Sequence, residues 1–294
     1  MSLRPGAVNI AASMAAIKAG MQQIESARFA ERLEDVLVRR KIASYRSVRN
    51  LLRRHELTVN GVRALSKALP VRAGQDVIAL DGRALEIPPD IYLMMNKPPG
   101  YECSHGKCRY ASVFSLLPPE LLRPEYLGVL HTVGRLDVDT AGLLVLTTNG
   151  TFSRSLALPD SRVEKTYLVL LERPVAAGEQ DAYRAACAAG VHIAAERGAP
   201  AVDTRPSRLE WCAPACCTLT VTEGKYHEVK RIFAALGNTV LRLERLSLGG
   251  LALDAALPPG AWRPLRDDEL CLLSRPPSCA SRTEGAFDGI LQEA

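Results

Sequence analysis

The chain has 294 residues, of which 47% are hydrophobic and 23% charged, and a formal net charge of +5 at pH 7. That is an ordinary globular balance, with length for one large domain or two smaller ones, each with a real core. Eight Cys at irregular spacing, with no secretory signal before them, argue against a disulfide framework and for a reduced, cytoplasmic compartment.

The apolar stretch Ala7 to Met21 is interrupted by Asn9, Ser13 and Lys18. It is too weak for a signal sequence and too short to span a membrane, so residues 1–29 are expected to be a disordered or short helical extension. The positive charge lies elsewhere. Between Arg28 and Arg72 stand twelve Lys or Arg against four Asp or Glu, a local excess of +8 that leaves −3 for the rest of the chain. Charge gathered into one segment is how an electrostatic footprint for nucleic acid looks, although most charge runs are only solvated faces.

Within that segment Leu33, Val36 and Leu37 recur at helical spacing, and so do Val48, Leu51 and Leu52. On the second of these helices Arg46, Arg49 and Arg53 form a basic stripe away from the apolar one, with Ser44 or Ser47 placed to cap its start. Leu57 to Val62 reads as a tight hairpin, because Asn60-Gly61 accepts the positive φ angles of a type I′ turn. Val77 to Leu80, before Asp81-Gly82, is a further strand. Pro88-Pro89 marks a boundary, and Ile91 to Met95 is then a strand closed by Asn96-Lys97-Pro98-Pro99-Gly100. Tyr101 to His131 reads as an irregular loop with a short helix near Val113 to Leu117.

Next come Gly134-Arg135-Leu136-Asp137-Val138-Asp139-Thr140-Ala141-Gly142 and the wholly apolar Leu143-Leu144-Val145-Leu146, closed by Thr147-Thr148-Asn149-Gly150. The apolar run reads as a strand buried on both faces with a turn after it. Its anchored start presents Arg135 and two carboxylates on a loop, either as part of a site or as a surface turn with Arg135 paired to Asp137. Glu164 to Leu171 is a strand with Lys165, Tyr167 and Val169 on one face. Gln180 to Ala189 suits a helix and Thr218 to Val221 a strand.

In Glu223 to Asn238, Val229, Ile232, Phe233 and Leu236 make one apolar stripe, which throws His227, Lys230 and Arg231 to another face at the helix start. Basic groups there oppose the helix dipole, a small local cost that points to an anionic partner. Strands near Val240 to Leu246 and Leu251 to Leu253, the run Trp262 to Leu265 and a short helix Asp267 to Leu273 complete the fold; the tail from Ser274 is expected to be disordered.

Four separated motifs, Asn96-Lys97-Pro98-Pro99-Gly100, Gly134-Arg135-Leu136-Asp137 with Thr140 and Gly142, Lys165-Thr166-Tyr167, and Glu223 to Arg231, stand in the order found in bacterial ribosomal pseudouridine synthases of the RsuA type. The chain closely resembles that family over about residues 30 to 273. Its front part resembles the RNA-binding domain named after ribosomal small-subunit protein S-four, with His55-Glu56 where that domain usually has Gly. The resemblance implies an α+β protein divided into an extension (1–29), an S-four-type RNA-binding domain of two helices plus a small sheet (30–87), a catalytic domain with a mixed, largely antiparallel sheet flanked by helices (90–273), and a tail (274–294). It implies Asp137 as the catalytic carboxylate, Tyr167 packed against the target base, and Lys230 paired with Asp137. Asp139 becomes a loop-ordering residue. Arg135, Arg46, Arg49, Arg53, His227 and Arg231 are implied to hold RNA. Glu228 stands where the family usually has Gln, and a carboxylate there is expected to weaken a phosphate contact. Without the resemblance, Asp137 and Asp139 remain equivalent.

The implied reaction breaks the N1–C1′ bond of a uridine, turns the uracil and joins C5 to C1′. It needs no cofactor. It asks for a flipped base and an ionised carboxylate in a dry pocket, with a cation within about 4–6 Å. Implied partners are ribosomal RNA, most of all small-subunit rRNA, or a ribosomal subunit assembly intermediate, met by a cytoplasmic monomer without a membrane. The competing expectations are the same enzyme acting on large-subunit rRNA and a non-catalytic rRNA-binding protein. No metal is expected, since Cys103 with Cys108, and Cys212 with Cys216 and Cys217, lack Cys-x-x-Cys spacing.

Overall fold

A computed structural model describes residues 30–106, 109–123, 126 and 128–274. The expected extension at 1–29 and the tail beyond Ser274 lie outside them, as does Cys108. In the front unit α1 (Leu33–Arg39) and α2 (Val48–Arg54) pack on a four-stranded antiparallel sheet of β1 (Leu57–Val59), β2 (Val62–Arg63), β3 (Ile78–Leu80) and β4 (Arg83–Ala84). Leu33, Val36, Leu37, Val48, Leu57 and Ile78 form a core of their own. Asn60 and Gly61 take φ 51° and 77°, and Asp81 and Gly82 take 49° and 77°, so both hairpins turn through the positive-φ pair that Asn-Gly and Asp-Gly accept. Ser47 occupies the N-cap position of α2 without bonding an amide of the helix; its hydroxyl donates to the Ser44 carbonyl.

The larger unit is built on a nine-stranded sheet. In chain order its main strands are β5 (Tyr92–Lys97), β6 (Ala141–Thr147), β7 (Lys165–Leu171), β8 (Arg208–Ala213), β9 (Cys216–Val221), β10 (Val240–Leu248) and β11 (Trp262–Pro264), arranged as β8-β9-β7-β10-β6-β5-β11. All these neighbours are antiparallel except β6 and β10, which touch in parallel at Ala141 and Gly142. The α-helices described in full in this unit are α3 (Gly150–Ala157), α4 (Ala177–Ala189), α5 (Glu228–Ala235) and α6 (Asp267–Ser274).

β5 and β6 alternate their side chains between two cores, which is why they read as unbroken apolar runs. Met94, Leu143 and Val145 meet Phe152, Leu156 and Leu270 on one side; Met95, Leu144 and Leu146 meet Val113, Phe114 and Leu136 on the other. Under β7, β8 and β9, Val169, Cys217 and Leu219 pack with Ile232 and Phe233 of α5. Two elements differ from expectation. Asn149 does not merely end a strand: its Oδ1 accepts from the Phe152 amide at 2.8 Å and so caps α3. A whole extra strand, β8, precedes β9.

Arg39 of α1 fastens the two units together. Its guanidinium bonds Glu31 and the Thr148 carbonyl and lies 3.2 Å from Asp90, while Arg40 donates to the Pro88 carbonyl at 3.0 Å. Asp90 also accepts from Thr148 and from Asn149, the cap of α3.

The loop before β6 is held from below. Lys97, fully buried at the end of β5, directs its ammonium at the carbonyls of Thr140 (2.7 Å), Asp137 (3.0 Å), Pro98 (3.1 Å) and Val138 (3.3 Å). Burial drives its pKa below the ordinary lysine value, and the carboxylates of Asp139 and Asp137 oppose that. Leu136, within the core, pins the same loop by its side chain. At the loop's end Gly142 takes φ +97°, and a Cβ there would fall 2.4 Å from the Arg245 carbonyl oxygen. Gly142→Ala is therefore expected to lower stability by about 2 kcal/mol or more, measurable by denaturant unfolding. Lys97→Met should cost a similar about 2–4 kcal/mol by stranding buried carbonyls and should loosen the loop, read as faster amide exchange at 137–140.

Candidate active site

One row of the sheet supports the site. In register across neighbouring strands stand Lys97 on β5, Gly142 on β6, Arg245 on β10 and Tyr167 on β7. The loop carrying Arg135, Asp137 and Asp139 rises at the Gly142 end of β6. The start of α5 comes over it from a distant part of the chain. The Lys230 ammonium donates to Asp137 Oδ2 at 2.9 Å and to Asp139 Oδ1 at 2.6 Å. His227 Nε2 stands 3.7 Å from Asp137 Oδ1. Thus the three basic side chains at the helix start do not share one task, and the anions nearest Lys230 are the chain's own.

Burial works to lower the pKa of Lys230, but its hydrogen bonds to Asp139 and Asp137 outweigh that and raise it. Burial works to raise Asp139, and the hydrogen bond from Lys230 wins and holds it below the usual carboxylate range. Asp137 is the more enclosed of the two acids, its side chain 29% exposed against 66% for Asp139. This difference breaks the equivalence that sequence physics left between them. Tyr167 is partly buried between two of the cores. Burial pushes its phenol up and the Arg245 guanidinium pulls the other way.

α5 forms where expected, with Val229, Ile232 and Phe233 buried and a Schellman-type end at Gly237, φ +80°. Its start is less simple. His227 sits in the left-handed region, φ 50°, with Nδ1 3.0 Å from a Glu196 carboxylate oxygen. Arg231, expected to face RNA, is instead 6% exposed, with its guanidinium spent on the carbonyls of Ala194, Tyr226 and Pro200. The apolar stripe placed its Cα correctly, but the long side chain folds back to stitch two loops. Glu228 is buried too, accepting from the Lys225 amide at 3.3 Å, so it does not face an incoming phosphate. Burial raises its pKa, with Lys225 opposing. Arg135 is exposed on the loop, and Arg49 and Arg53 are exposed on α2 of the front unit; Arg46, expected on that helix, is exposed in the turn before it, because the helix starts only at Val48.

Two residues here had no assigned role in the sequence. Lys97 stood within a quoted motif, but its reach to the loop is a tertiary fact. Arg245 is 2% exposed; its Nε donates to the Leu143 carbonyl at 2.8 Å, and among the described residues its Nη2 has no hydrogen-bond partner. Its signal was available: it falls in the buried phase of β10, two residues after Leu243, where an apolar residue belongs. Among the described residues no cluster of three His, Cys, Asp or Glu is placed to hold a metal ion, and no helix is long and apolar enough to cross a membrane.

Residues 91–235, which contain the loop, Tyr167 and Lys230, match the RNA pseudouridylate synthase family. The chain is 36% identical over 219 residues to ribosomal small subunit pseudouridine synthase A of Haemophilus influenzae, covering 74% of this chain and 89% of that one. It is 42% identical over 195 residues to the protein of the same name from Pseudomonas aeruginosa, covering 66% and 79%. A solved structure described as a pseudouridylate synthase superposes with a TM-score of 0.57 at 35% identity, covering 83% of this chain and all of that one. With more than a third of its residues shared over most of the length of these enzymes, and with the matching region holding the loop and its lysine, the chain belongs to the RNA pseudouridylate synthase family.

Proposed function

We propose that this protein isomerises a specific uridine of small-subunit ribosomal RNA to pseudouridine, with Asp137 as the catalytic carboxylate. The observation that carries the reading is the Lys230 ammonium, brought 93 residues along the chain to bond Asp137 beside Tyr167. A carboxylate that must act on a sugar or a uracil ring away from water needs such a countercharge. The names of the relatives supply the rRNA.

The reaction is an internal exchange of one bond for another: N1–C1′ breaks, C5–C1′ forms, the C5 proton leaves and N1 gains one. The flipped uridine enters between Asp137 and Tyr167, whose ring walls the base. Arg135, exposed next to the loop, reaches the backbone around the opened site. Lys230 keeps a positive charge against the reacting carboxylate, and Asp139 shares it and fixes its direction. The front unit is read as an S-four-type domain that grips rRNA through Arg46, Arg49 and Arg53, in a cytoplasmic monomer acting on free rRNA or an assembling subunit.

Asp137→Asn is expected to abolish pseudouridine formation while rRNA binding survives; normal turnover by this variant would refute the assignment. Pseudouridine mapping of both rRNAs from a deletion strain identifies the substrate, with loss at one small-subunit position expected. Replacing Arg46, Arg49 and Arg53 together by Gln should weaken rRNA binding and reduce the slope of log affinity against log salt by about 2. The ion pair also fixes a pH response. Its contribution to stability is lost as pH falls through the Asp139 pKa, held below the ordinary aspartate value, and as pH rises through the Lys230 pKa, raised above the ordinary lysine value. Thermal melting of the wild type should thus exceed that of Lys230→Met across the neutral range, and the gap should close at both extremes.

A further inference from the structure

Tyr226 is an exposed aromatic residue, 41% accessible, immediately before His227 of the site. Its ring stacks on His227 with centroids 3.8 Å apart and planes 18° from parallel. His227 therefore shows its face to Tyr226 and its edge to Asp137, with Nε2 3.7 Å from Oδ1.

The pair is held more firmly than a surface aromatic requires. His227 is kept in a left-handed conformation, disfavoured for a non-glycine residue, and its far nitrogen is fixed by Glu196. The Tyr226 carbonyl accepts from buried Arg231 at 3.0 Å, and the same guanidinium binds Ala194 and Pro200. The buried Arg231 guanidinium thus fixes the backbone of Tyr226, and the Glu196 carboxylate fixes the imidazole on which its ring lies. A rigid aromatic plane in water, set beside a carboxylate, is suited to receiving another flat ring at little entropic cost.

We propose that Tyr226 is a stacking platform for an unpaired RNA base flanking the target uridine, an inference that rests on the pseudouridine synthase reading above. The target's glycosidic bond must come to Asp137, on the edge side of His227. The outer face of the stack lies off that line, where a neighbouring nucleotide arrives. Flipping a uridine leaves its neighbours unstacked, and one base laid on Tyr226 replaces a lost stack. Such a platform tolerates any base, so it contributes affinity and register more than sequence selection.

The test uses the full-length wild type, Tyr226→Ala and Tyr226→Phe with a uridine-containing loop fragment of small-subunit rRNA. The fragment is synthesised intact and with each nucleotide flanking the uridine made abasic in turn. Affinity is read by fluorescence anisotropy, and pseudouridine is read in parallel. Tyr226→Ala should bind the intact RNA about tenfold more weakly, the order lost with one base–aromatic stack. Tyr226→Phe should match the wild type, and all three proteins should melt alike. At one flanking position the abasic change should cost the wild type the same factor and cost Tyr226→Ala nothing. Equal penalties for both proteins at every position, or undiminished binding by Tyr226→Ala, would overturn the proposal. Absence of pseudouridine from the wild-type reaction, with the abasic coupling intact, would remove the enzymatic reading and leave the platform standing.

Discussion

A buried ammonium carries the loop on which the site depends. Lys97 holds the carbonyl of Asp137 itself and those of Val138 and Thr140 after it, so the backbone of the candidate carboxylate is fixed from inside the sheet. Lys230 then holds the same residue by its carboxylate from the opposite side. The two cations act differently. One satisfies backbone acceptors that would otherwise be buried and unpaired, and it is insulated from solvent. The other is a partner in a charge pair that stays partly open to solvent. Together they leave Asp137 little freedom except that of its last torsion, which is what preorganisation of a carboxylate means in atomic terms.

The sheet makes this arrangement reachable. β6 and β10 meet in parallel over two residues only, and the contact needs Gly142, because no side chain fits between it and Arg245. That close approach brings β10, and with it β7 and Tyr167, against the strand that launches the loop. A buried Arg in this row, lacking a carboxylate within ion-pair distance among the described residues, is expensive to keep. Its position beside Tyr167 puts that cost within the candidate site rather than in the general core.

Much of this was legible in the sequence, for definable reasons. The paired hairpin turns, the doubly buried strands β5 and β6 and the stripe of α5 are local patterns, and local patterns carry their own periodicity. The four motifs carried the family. Side-chain destinations were not legible. Nothing at Arg231 distinguishes a guanidinium reaching out to phosphate from one folded back on three carbonyls, because the partners lie 31 and 37 residues away in the sequence. Asn149-Gly150 was ambiguous for another reason, since the same pair that closes a hairpin also starts a helix. What decides is the core contact of Phe152 in the first turn and Leu156 one turn further on.

The fastening of the front unit by Arg39 has a consequence of its own. Glu31 and Asp90 both lean on that one guanidinium. Glu31, buried beside a second acid, has its pKa raised to about 7 despite Arg39. With the seam closed, Arg49 and Arg53 of α2 stand at a set offset from Asp137, as the jaws of a calliper do. Under the proposed reading, the modified uridine is then chosen largely by length: it is the one that reaches Asp137 when a structured part of the same RNA already rests on those arginines.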